Sequence, residues 1–128
     1  MASEFLTIRL GWKEHPDEWA GYTEGMSTQE ILEAGLKWWV LKASRAIECK
    51  KVLILHPELS ILAARDIRGI VKSEEDPGRY EVLVWHVDEN GNPLDSREAA
   101  EEQELLGAKV LRGTSRNPIA YISPDRIA

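Results

Sequence analysis

The residues of this chain best equipped for chemistry are its five tryptophans and a set of separated arginines. Trp38 and Trp39 stand side by side, and the face of an indole stacks a nucleobase or another flat ligand. Set in a strand, the two rings point to opposite sides, so both are buried only where the strand is covered on both faces. The doublet therefore fits either two core tryptophans at a helix-strand junction or a core residue beside one wall of a pocket. Arg112-Gly113-Thr114-Ser115-Arg116-Asn117-Pro118 is a loop rich in hydrogen-bond donors, with Gly113 able to bring backbone amides close to a ligand. Such a loop suits phosphate contact and equally suits a plain turn between strands. Arg45 and Arg68 are the further cations in reach of a phosphate role, so the candidate binding residues are Trp38, Trp39, Arg45, Arg68, Arg112, Arg116 and Asn117.

Catalytic chemistry has no such footing. His15, His56 and His86 are each isolated, without a Cys, His or acidic partner at metal-ligand spacing. No P-loop, GxGxxG or GxSxG pattern occurs, and no serine stands in a nucleophile context. Glu74-Glu75 and the acids from Glu98 to Glu104 read as solvated surface rather than as acid-base pairs. Cys49 is the single cysteine, which excludes an internal disulfide and reads as a small residue in or near the core. A non-catalytic module with no metal and no cofactor is the expectation.

Around these residues the chain has the composition of a folded domain, 43% apolar and 30% charged over 128 residues, enough for one core without disulfides or metals. Its apolar runs are strand length, far short of the ~20 residues that cross a bilayer. The first ten residues have no basic-then-apolar pattern to direct export, so a cytoplasmic setting and no membrane are expected. The net charge of −6 argues against indiscriminate nucleic-acid binding, but it is unevenly placed. Residues 1 to 36 sum to −5, 37 to 72 to +5, 73 to 108 to −9 and 109 to 128 to +3. If the fold joins the two basic segments, an acidic protein acquires a positive face; otherwise the charge is ordinary solvated surface.

The elements that must position these groups follow from periodicity. Residues 5 to 10 alternate as a first strand, and 11 to 26 read as a long ordered loop with Trp12, Trp19 and Tyr22. Ser27 with Glu30 is a capping box opening a helix over 28 to 36, after which Trp38-Trp39-Val40-Leu41 reads as a strand. A short helix or turn over 43 to 49 precedes Val52-Leu53-Ile54-Leu55, a central strand. Ile67 and Ile70 break alternation in the next strand unless Arg68-Gly69 forms a bulge. Residues 79 to 87 alternate as a strand buried on much of both sides. Asp95 with Glu98 caps an acidic helix over 96 to 106, with Ala99, Ala100, Leu105 and Leu106 as its apolar positions. Two short strands, 109 to 111 and 119 to 122, close the chain. Leu53, Ile54, Val82, Val84 and Ile119 are the expected core. The uneven spacing excludes repeated βαβ units and predicts one α+β domain over 1 to 128: a curved, mostly antiparallel sheet or small β-barrel with flanking helices.

Trp38-Trp39-x-Leu41, Ser44-Arg45-Ala46, the strand at 52 to 55, Ile67-Arg68-Gly69-Ile70-Val71 and Asn117-Pro118-Ile119-x-Tyr121-Ile122 together resemble a small bacterial PUA-like domain. The resemblance, over about 38 to 122, is to the module found beside GIY-YIG-type nuclease domains and to the broader PUA, ASCH and EVE group. It implies a small antiparallel barrel and a pocket that reads a nucleic acid or a modified nucleotide. The chain departs from basic members of that group in its −9 segment, and no nuclease motif accompanies it. Two other readings stand beside this one. One is a protein-interaction module, an accessory of a phage or defence system, whose acidic helix docks on a basic partner. The other is a small nucleotide-acting enzyme with a site that spacing does not reveal.

Overall fold

The computed structural model describes residues 4–13, 21–76, 78–85, 87–112 and 117–128. Trp19, His15, His86 and the candidate Arg116 lie outside the described residues. Five strands form one sheet: β1 (Phe5–Arg9), β2 (Lys51–Leu55), β3 (Ile61–Lys72), β4 (Tyr80–Val84) and β5 (Ile119–Ile122), in the order β4-β3-β2-β1-β5. Helices α1 (Thr28–Gly35) and α2 (Ala43–Ala46) lie between β1 and β2, and α3 (Ser96–Leu105) lies between β4 and β5. The class is α+β, as expected, but the sheet is open, with β4 and β5 as its two edges. A closed barrel is not formed, because β5 pairs with β1 and β4 with β3 at opposite ends of the strand order. The sheet is also mixed. β1 and β2 are parallel, which the long crossover through α1 and α2 permits, while the other three pairings are antiparallel.

The apolar run of β2 is central and buried along its whole length, and β1 is buried at four of its five positions. Leu53, Ile54, Val82 and Ile119 are core, as expected, and Val84 is half-buried because β4 is an edge strand. Ser27 and Glu30 form the capping box of α1. Its Gly35 has a packing reason: a Cβ there would sit 2.7–2.9 Å from three side-chain atoms of Ile54. Gly35→Ala is accordingly expected to destabilise the fold by about 1–3 kcal/mol through overpacking, measured by urea unfolding, despite the better helix propensity of alanine. An unchanged midpoint would mean that α1 shifts freely on β2.

Two segments expected as strands do not form them, and one expected irregularity is present. Trp38 to Leu41 is not a strand: only Trp39 joins a ladder, exchanging both backbone hydrogen bonds with Tyr80, because the chain bends at 36–38 as it leaves α1. Residues 109 to 111 contribute isolated bridges, Lys109 to Ser60 and Val110 to Ile127, rather than a strand. The 12-residue β3 is one continuous strand whose register shifts between Ile67 and Gly69, placing the expected bulge at Arg68.

The largest departure concerns α3, read from sequence as a solvated acidic helix. It buries Glu98 and Glu102. The first half of β3 has β2 on one side, while on the other Ala64 N–H donates to Glu102 at 3.1 Å and Asp66 N–H donates to Glu98 at 2.7 Å. One helical turn between the two carboxylates, roughly 6 Å, matches the roughly 6.7 Å between alternate strand residues. Behind them, the fully buried Arg65 pairs with Glu102 and donates to Ala64 O and Gly91 O. Lys51 bridges Asp66 and, at 2.6 Å, Glu101.

Candidate nucleic-acid interface

The predicted binding residues divide between two regions of the fold. Trp39 is half-buried among the core residues, and its indole N–H donates to Gly35 O at 2.9 Å. Trp38 lines a groove of about 480 Å³ with Val71, Lys72, Ser73, Glu74 and Glu75, and its carbonyl accepts from Arg79. Two carboxylates in that groove disfavour a phosphate. Arg68 is exposed on the bulge of β3, three strand spacings from β5 in the sheet.

The other region is built on β5. Arg112 is half-buried and donates to the carbonyls of Asn117 and Pro118, while the Asn117 side chain accepts from Ile119 N–H at 3.0 Å. These bonds hold Arg112 and Asn117 against the start of the strand. Burial, and to a lesser degree the nearby charge of Arg9, make the Arg112 proton easier to lose than usual. On the other side, α2 docks through Tyr121, whose hydroxyl accepts from Lys42 N–H and donates to Lys42 O, both at 3.3 Å. Arg45 lies over the Tyr121 ring, 4.3 Å from its centre, and meets Glu4 in two hydrogen bonds of 2.7 and 3.0 Å. That pairing raises the Arg45 pKa and lowers that of Glu4, while burial raises that of Tyr121.

Two grooves border β5 and meet at Tyr121. One, of about 470 Å³, has Arg112, Arg126, Ser123 and the Arg45-paired Glu4 among its walls, and the other, of about 510 Å³, has Lys42, Val40 and Asn117. The basic segments 37–72 and 109–128 thus converge, through Lys42 and Arg45 from the first and Arg112 and Arg126 from the second. No family model, curated protein or solved structure matches the chain.

Sequence reasoning passed over Tyr121, Lys42, Arg126 and Arg9 as site residues. Tyr121 alternates with its neighbours as any strand residue would. The signal that could have raised it is its place as the single aromatic of the basic segment 109–128. Cys49, buried near α2, has its thiol pushed up to about 11 chiefly by burial, which suits a packing residue rather than a nucleophile. Among the described residues no group of three or more His, Cys, Asp or Glu could hold a metal, and no helix is long and apolar enough to cross a membrane.

Proposed function

We propose that this chain is a PUA-like, non-catalytic module that binds nucleic acid or a nucleotide along β5. The observation that carries the reading is the convergence of the two basic segments on Tyr121, with Arg45 stacked on its ring at 4.3 Å. A planar guanidinium held on an aromatic face offers a base a platform, and Lys42, Arg112 and Arg126 stand around it for phosphate. The short motifs quoted above add the PUA-type likeness. The rival reading, in which the acidic helix docks on a basic partner, is narrowed to the carboxylates around its first turn, because Glu101 and Glu102 farther along α3 are engaged by Lys51 and by Ala64 N–H.

Lys42 and Arg126 are exposed and suit a test that spares the core. Changing both to alanine is expected to weaken binding to every single-stranded oligonucleotide about equally, and to reduce the log-log salt slope by about 1.4 for two lost phosphate contacts. The measurement is a fluorescence-anisotropy titration at several salt concentrations. Wild-type protein that binds no oligonucleotide at low salt, where the attraction is least screened, would sink the reading.

A further inference from the structure

The sheet edge opposite β5 carries different chemistry. The chain leaves β4 at Trp85, 49% exposed, and approaches α3 through Leu94, 63% exposed. These two apolar side chains border a cleft of about 490 Å³, and Asp66, Asp95, Arg97 and Glu98 complete its wall.

An apolar cleft does not name its occupant, but the charge here does. Three carboxylates and one cation line the cleft, and two of the three, Asp95 and Glu98, belong to the segment 73–108 that carries eleven acidic and two basic residues. The carboxylates are held in place by the fold: Glu98 by Asp66 N–H, Asp66 by Lys51, and Asp95 by the N–H groups of Arg97 and Glu98. Arg97, by contrast, has its side chain 70% exposed and reaches Asp66 Oδ2 only at 3.6 Å, beyond hydrogen-bond length. Arg97 therefore marks where a guanidinium is attracted while holding that place weakly, and an incoming cation can displace it at little cost.

We propose that this cleft takes an arginine side chain from a partner protein, its guanidinium between the Trp85 ring and Asp66 and its methylene stem over Leu94. Arginine fits better than lysine because a flat guanidinium stacks on an indole while its edge donates to a carboxylate. The preset carboxylates reduce the ordering needed on binding. This surface is independent of the β5 reading, which requires an anionic ligand at the other edge.

The test titrates a blocked Gly-Gly-Arg-Gly-Gly peptide into the full chain, followed by the indole N–H resonance of Trp85, with the citrulline peptide as the uncharged control. Saturable binding of the arginine peptide alone is expected. Trp85→Ala should weaken it about three- to thirty-fold through loss of the cation-π contact. Arg97→Gln should tighten it about two- to five-fold by removing the competing cation, and tests the cleft without touching its aromatic wall. Equal binding of the citrulline peptide, weaker binding by the Arg97→Gln protein, or no binding would overturn the proposal. So would a shift of the Trp85 resonance with protein concentration alone, which would assign the cleft to a second copy. An oligonucleotide that moved the same resonance would count against both surfaces as drawn, whereas failure of the peptide with oligonucleotide binding intact would remove this one alone.

Discussion

Arg65→Ala is expected to lower the free energy of unfolding by about 3–5 kcal/mol, the cost of breaking a buried ion pair from one side. The side chain is 0% exposed, and its guanidinium serves Glu102, Ala64 O and Gly91 O at once. Alanine would leave the Glu102 carboxylate buried with the Ala64 N–H as its partner among the described residues, and would open a space where the side chain now lies. The Gly91 carbonyl would lose a charged donor and, with it, one tie between the 88–92 turn and the sheet. Urea unfolding monitored by tryptophan fluorescence reads the change as a fall in midpoint at constant slope. A loss under about 1 kcal/mol would show that the carboxylate finds water or moves out, and that the network is peripheral to stability.

Leu53→Ala is expected to cost about 2–5 kcal/mol, by the lost transfer energy and the cavity left behind. Leu53 is 0% exposed in the middle strand, paired with Thr7 on one side and Ala64 on the other. Its side chain shares a cluster with Phe5, Leu55, Ile61, Val110 and Ile122, contributed by four strands and the segment after α3. Such a site collapses poorly, since the backbone on either side is fixed by hydrogen bonds. Thermal unfolding of the variant at matched concentration gives the check, and a midpoint within a degree or two of wild type would place the strand outside the core.

These two residues also show what the sequence could and could not disclose. Leu53 lies in an unbroken apolar run of strand length, and that pattern identifies a strand covered on both faces. Likewise Ser27 with Glu30, Asp95 with Glu98 and the broken alternation at Arg68 each state a local rule, and each is met. Arg65 was not legible in this way. Periodicity looks for apolar faces, whereas α3 meets β3 through carboxylates at i and i+4 that match strand N–H groups at i and i+2. The positions read as its core face, Ala99, Ala100, Leu105 and Leu106, are half-buried or exposed. The signals present were Lys51 and Arg65 at positions where strands otherwise run apolar.

At the candidate site, Arg45, Arg112 and Asn117 could be named from charge and loop composition. Their meeting at Tyr121 could not, because it depends on the β1-β2 crossover that carries α2 to β5. The tryptophan doublet misled for a related reason. Two adjacent aromatics suggest alternating strand faces, but Trp39 is tied to the end of α1 by its own indole N–H.

The pairing of α3 with β3 has a bearing on aggregation. A bare strand edge is a template on which another chain can add itself, because it presents N–H and C=O groups in a repeating row. Along the first half of β3 that row is answered by side chains: Glu102 accepts from Ala64 N–H, Arg65 donates to Ala64 O, and Glu98 accepts from Asp66 N–H. Together a carboxylate and a guanidinium supply the acceptor and donor of a neighbouring strand without supplying its backbone. Those three groups are answered without a strand, so this stretch of edge offers a stray β-segment from another molecule less to copy.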